Sequence, residues 1–79
     1  MALTETFGKY QLHLIPFQLS ETGQWAPYLM IHKFNEENQR FICVLEKHRV
    51  SGDVTFTNAD EAVDEARRVG NALIASGKV

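Results

Sequence analysis

Towards the C-terminus, Ala59, Ala62, Val63, Ala66, Val69, Gly70, Leu73 and Ile74 recur at three- and four-residue steps, the clearest helical period in the chain. Thr57 or Asn58 stands where an N-cap is needed, with Glu61 three residues after Asn58 as in a capping box, and Gly77 stands where the helix should stop. Asp60, Glu61, Asp64 and Glu65 crowd the positive end of the helix dipole, and Arg67 and Arg68 follow. A stripe made mostly of Ala, Val and Gly lets the helix approach another layer closely, with Phe56, Leu73 and Ile74 filling the ends. The rest of the chain must supply that layer.

It does so with alternation. From Lys9 to Pro16, Tyr10, Leu12 and Leu14 point one way and Gln11, His13 and Ile15 the other, the period of a half-buried strand. Pro16 is expected to end it, because proline cannot donate to a ladder. A polar loop covers Gln18 to Gln24. A second strand is predicted from about Pro27 to Phe34 and a third from Arg40 to Lys47, with Asn35 to Gln39 as the turn between them. Opposing Lys33 to Phe41, Ile31 to Cys43 and Leu29 to Leu45 makes one face nearly all apolar. Leu12, Leu14, Leu29, Ile31, Phe41, Cys43 and Leu45 are then the floor of the core. The other face carries Gln11, His13, Ile15, Tyr28, Met30, His32, Arg40, Ile42, Val44 and Glu46, a mixture that water tolerates in part. Ser51, Gly52 and Asp53 read as a turn, and Val54 to Phe56 as a short fourth strand, at the edge of the sheet.

A chain of 79 residues has room for one core. A helix of about nineteen residues is roughly 28 Å long, against roughly 23 Å for a seven-residue strand, so one helix crosses and covers one sheet face. The expectation is an α+β fold: a three- to four-stranded antiparallel meander sheet with one C-terminal helix packed on one face. Residues 1–8 are read as a flexible lead and 9–79 as the single domain.

The formal net charge is −2 and the basic residues are scattered, which gives nucleic acid or an anionic membrane no clustered cations to bind. Cys43 is the only cysteine, so no intrachain disulfide forms, and a reducing, cytoplasmic setting fits. No segment nears the eighteen or so apolar residues of a membrane span.

Chemistry-bearing residues are few. His13 and His32 share the uncovered face, where two imidazoles can meet a metal or an anion, but Gln11 and Glu46 beside them complete no zinc spacing. Two solvated strand histidines are the simpler reading. Cys43, placed toward the helix and away from both histidines, reads as an inert buried thiol. The helical carboxylates are accounted for by the dipole and by pairs such as Asp64 with Arg68. Trp25, Ala26, Pro27 and Tyr28 form the most unusual cluster, either a lid on the core or an anchor for a partner. With no phosphate loop, dinucleotide fingerprint or serine elbow, no cofactor, metal or catalytic constellation is expected.

Gly23-Gln24-Trp25-Ala26-Pro27-Tyr28 ahead of a strand, and Phe56-Thr57 followed by Glu61-Ala62 at the helix start, resemble a group of small uncharacterised proteobacterial proteins over residues 10 to 75 or so. That resemblance implies a sheet with a C-terminal helix and brings no catalytic residues and no assigned activity. The order of three strands and a helix is also similar to part of the double-stranded RNA-binding domain, for topology alone. Those domains open their last helix with basic residues, whereas Asp60, Glu61, Asp64 and Glu65 open this one.

The leading expectation is a non-enzymatic interaction or self-association module using the open face, with Trp25, Tyr28, Met30, His32, Ile42 and Val44 as partner contacts. A nucleic-acid or regulatory-ligand binder using His13, His32 and Arg40 beside Tyr28 is the alternative. A small enzyme comes third, because no nucleophile and base converge.

Overall fold

The computed structural model describes residues 2–79, in which four strands and one helix follow one another: β1 (Leu3–Phe7), β2 (Tyr10–Gln18), β3 (Trp25–Asn35), β4 (Arg40–Arg49) and α1 (Ala59–Ala75). The strands lie in the order β1-β2-β3-β4, an all-antiparallel open meander, and α1 packs on β2 and β3. The α+β expectation is therefore met with four strands.

The helix is built as its sequence implies. Asn58 caps it by accepting from the Glu61 amide at 2.9 Å, and the Thr57 hydroxyl donates to Glu61 Oε1 at 3.0 Å. At the other end Gly77 adopts φ 73°, its amide donates to Ile74 O, and the Lys78 amide donates to Leu73 O. These two bonds make a Schellman stop, which needs a residue at ease in the left-handed region. Ala62, Val63, Ala66 and Gly70 are the buried stripe. Beneath it Leu12, Leu14, Leu29 and Ile31 are fully enclosed, with Val50 closing one side. Tyr10, Leu45, Val69, Leu73 and Ile74 pack around that core, and the Tyr10 hydroxyl donates to Val79 O at 2.8 Å.

Four features differ from the expectation. Residues 3–7 are not a free lead but the edge strand β1, with Leu3 opposite Leu14 and Phe7 opposite Tyr10. A bidentate contact of the Arg67 guanidinium with the Glu5 carboxylate, 2.6 and 2.8 Å, ties that strand to α1. Val54 to Phe56 contributes only a single bridge, Phe56 with Trp25.

Pro16 does not end β2, which runs on to Gln18 with Pro16 directly opposite Pro27. Antiparallel rungs alternate between those that exchange hydrogen bonds and those that do not. The Phe34 amide donates to Lys9 O, and counting rungs from there puts the proline pair on a non-bonded one. Neither ring is asked for an N–H across the β2–β3 ladder; β1, which reaches only Leu14, leaves the outer side of Pro16 unpaired, and on its outer side Pro27 only accepts, from the Val50 amide.

The fourth difference is the phase of β4. Asn35 opposite Arg40 closes a four-residue turn in which Asn35 Oδ1 accepts from the Asn38 amide and Gln39 takes φ 55°. The pairs that follow are Phe34 with Phe41, Lys33 with Ile42 and His32 with Cys43, one residue out of step with the expected register. A shift at Val44 then sets Leu45 opposite Ile31, and a second sets His48 opposite Leu29. Each is a β-bulge, an extra residue that reverses the alternation beyond it. Leu45 consequently reaches the core side while Phe41 and Cys43, of the same sequence parity, do not.

Candidate functional site

The molecule measures 45 × 23 × 16 Å, a depth with room for one helix on one sheet. No other described element packs over the opposite sheet face. Strand register places on that face Thr4 of β1, His13, Ile15 and Phe17 of β2, Tyr28, Met30, His32 and Phe34 of β3, and Phe41, Cys43 and Arg49 of β4.

Two aromatic pairs stand at its two ends. Phe17 and Tyr28 have ring centroids 5.6 Å apart, and Phe34 and Phe41 meet edge to face at 5.3 Å. Phe17 is 49% exposed and Phe41 39%, large values for phenylalanines in a sheet. Lys47 Nζ stands 5.9 Å from the Tyr28 ring centroid. Beside Tyr28, the Nε of Arg49 is buried with no hydrogen-bond partner among the described residues.

Between the aromatic pairs runs a polar row across all four strands. Thr4 Oγ1 lies 3.2 Å from His13 Nδ1, and His13 Nε2 lies 3.2 Å from His32 Nδ1. The imidazoles meet edge to face with centroids 4.6 Å apart, and Cys43 follows directly opposite His32. Partial burial, reinforced by the charge of His32, holds His13 below the ordinary histidine pKa. One proton fits between the facing nitrogens, and two would set N–H against N–H.

Of the residues singled out in the sequence, Tyr28, Met30, His13 and His32 lie on this face. Trp25 does not: it shares the parity of Leu29 and Ile31, is half-buried at the start of β3, and exchanges both backbone hydrogen bonds with Phe56. Ile42 and Arg40 also leave the set, because they oppose Lys33 and Asn35 on the helix side, at the turn end of β4, where Ile42 is 41% exposed. Val44 is the bulged residue, 38% exposed on the edge strand. Cys43 is exposed rather than buried, the reverse of the inert-thiol expectation, because the register set by the turn places it opposite His32. Thr4, Phe17, Phe34, Phe41, Cys43 and Arg49 are the open-face residues in this set that sequence reasoning missed. Phe17 lay beyond a proline that was expected to end its strand.

No protein-family model matches the chain, and no curated protein or solved structure is significantly similar to it. Among the described residues no helix is long and apolar enough to cross a membrane, and no three His, Cys, Asp or Glu side chains converge as a metal site.

A second concentration of charge lies at the start of α1. Glu65 accepts from Arg68, 2.6 and 2.9 Å, and from the Ser51 hydroxyl at 2.5 Å, and these bonds, Arg68 first, hold its carboxyl down at about 2. Ser51 takes φ 65°, unusual for a residue with a side chain. Every Glu65 oxygen is occupied, so the cluster fastens the turn after β4 to the helix and leaves no free acid or base.

Proposed function

We propose that this protein is a non-enzymatic self-association module whose open sheet face packs on the same face of a second copy. The observation that carries the reading is the pair of aromatic clusters, Phe17 with Tyr28 and Phe34 with Phe41, at opposite ends of a face that no other described element covers. A twofold rotation about the centre of the face lays one cluster over the other, which is the self-complementarity an isologous dimer requires. Four strands about 4.8 Å apart and about 30 Å long give roughly 600 Å² on each copy, so a face-to-face pair clears the roughly 1,000 Å² expected of a specific interface.

Face packing is favoured over strand pairing at the edge. The two bulges of β4 break the row of amides that an added strand would have to match. Nucleic acid is disfavoured: Arg40 is on the other side of the sheet, and the chain carries a net charge of −2.

Sedimentation equilibrium over a concentration series tests the proposal. The expected result is a mass rising to twice the 9.0 kDa of the chain, and a return to the monomer when Phe41→Asp or Met30→Asp charges the face. A strict monomer at every concentration would sink it.

A further inference from the structure

The aromatic clusters fix where the middle of the dimer lies. Tyr28 and Phe34 stand equally far along β3 on either side of Ile31, and Phe17 and Phe41 lie on the strands flanking it, so the twofold rotation that exchanges the clusters passes between Met30 and His32. His13 is directly opposite Met30, and its Nε2 lies 3.2 Å from His32 Nδ1, with the ring centroids 4.6 Å apart. The imidazoles of one copy therefore sit at the axis, against those of the second.

In the uncharged pair a single N–H bridges the facing nitrogens, and the Thr4 hydroxyl, 3.2 Å from His13 Nδ1, donates or accepts to suit either tautomer. One more proton goes to an outer nitrogen and puts a positive charge on a partly buried face. A second has only a facing nitrogen left, where N–H meets N–H and the rings must part. The groups facing the pair are Thr4 and Thr6 from β1, Gln11 and Ile15 from β2, Met30 from β3 and the Cys43 thiol from β4. Glu46, Lys47 and Arg49 follow along β4 beside the stretch from Met30 to Tyr28, and α1 lies on the other face. Among the described residues no carboxylate bonds either imidazole. Burial and the neighbouring His32 charge hold His13 below the ordinary histidine pKa in the single chain, and a second copy adds to both causes.

We infer, on the basis of the dimer proposed above, that the His13–His32 pair makes self-association through the open face pH-sensitive: uncharged imidazoles let the faces pack, and mild acid charges them and releases the second copy. Imidazoles enclosed between two faces, with another pair across the axis, take up protons at lower pH than they do on a free face. The dimer thus binds fewer protons than two separate chains, and its dissociation constant rises as the pH falls. Overall charge acts the other way. The net charge of −2 at pH 7 shrinks towards zero at the pI of about 5.8, which removes repulsion between copies and would tighten any general association. Weaker association in mild acid is therefore the mark of charge appearing on the packed face.

Sedimentation equilibrium of the full chain at pH 7.5 and pH 5.5, at one ionic strength, tests the switch, with helical circular dichroism checking that the fold is kept at both. The dissociation constant of the native chain should be about tenfold or more larger at pH 5.5, the factor given by one proton per dimer over one pH unit. Glu65, which titrates below 4.5, lies outside that range. The double variant His13→Gln with His32→Gln should associate at pH 5.5 at least as tightly as at pH 7.5. His48→Gln, which changes a histidine opposite Leu29 on the helix side of the sheet, should keep the native pH dependence. Should the double variant not associate at all, dilution calorimetry of the native dimer near pH 6, in buffers of different ionisation enthalpy, decides instead: net proton uptake on dissociation upholds the switch and none overturns it. A native dimer equally tight at both pH values, or a double variant that still dissociates in acid, overturns the switch and leaves the dimer standing. A native chain that is monomeric at both pH values sinks the dimer and the switch with it.

Discussion

Cys43 stands directly opposite His32 across β3 and β4, on the side of the sheet that the helix leaves bare. A thiol in that position is reachable by solvent, and no packed side chain must move to admit a reagent. Iodoacetamide at neutral pH should therefore label the native protein at a rate comparable to the urea-unfolded chain, as followed by mass spectrometry. Labelling only after unfolding would return Cys43 to the core and remove the bulge from β4.

Gly70 lies in the buried stripe of the helix, directly against Leu12 and Leu29 of the sheet. A methyl group at this position would meet Leu12 Cδ2 at 2.3 Å and Leu29 Cδ1 at 3.4 Å, and Leu12 is only 1% exposed. Alanine gains up to about 1 kcal/mol of helix propensity, against about 1–3 kcal/mol for overpacking a closed core. Gly70→Ala should lower the unfolding free energy by about 1 kcal/mol in urea melts, and Gly70→Leu by more. Adding Leu12→Val to Gly70→Ala should cost less than the sum of the two single changes, because the smaller side chain vacates the contested space.

Where the sequence pattern had one meaning it was legible. The helix, its Asn58 cap, its Gly77 stop and the pairing of Leu12 and Leu14 with Ile31 and Leu29 all follow from periodicity and local chemistry. The errors fall where local pattern underdetermines structure. Leu3 to Phe7 has one half-buried residue among five, so little apolar contrast marks it as a strand, and its tie to the helix lies 62 positions away at Arg67. Pro16 is harmless because its rung with β3 is a non-bonded one and β1 stops at Leu14, a fact of register rather than of composition. Phe41, Cys43 and Leu45 alternate as one face would, and a single extra residue at Val44 divides them between two faces. That division moved Ile42 and Arg40 out of the candidate site and brought Phe41 and Cys43 in.

The Arg67 contact with Glu5 should control β1 more than the whole molecule. Both side chains are about a third exposed, and partly exposed ion pairs contribute on the order of 1 kcal/mol or less. The rest of β1 has few apolar contacts with which to resist fraying. Arg67→Ala should accelerate hydrogen exchange at those amides of Leu3 to Phe7 that bond to β2, leave the amides of β3 near Leu29 and Ile31 unchanged, and shift the global melting midpoint little. Equal acceleration in both strands would mean that β1 is integral to the core.

Acid should weaken the protein through Glu65. Its carboxyl titrates near 4.5 when unfolded and at about 2 when held by Arg68 and Ser51 in the folded state. A depressed folded pKa means that the unfolded chain takes up the proton first as the pH falls. The contribution is thus whole above pH 4.5 and is lost progressively between 4.5 and about 2. Arg68 is largely exposed and screened by water, so the half-buried Ser51 bond carries much of the effect, on the order of 1–2 kcal/mol. Urea melts of Glu65→Gln and the native chain should differ by that amount at pH 7 and converge towards pH 2.5. Ser51→Gly, which suits φ 65° but lacks the hydroxyl, separates the bond from the backbone: it relieves the left-handed strain and still narrows the acid dependence. A gap between native and Glu65→Gln that stays constant across the titration would show that the carboxylate charge is not what the fold uses.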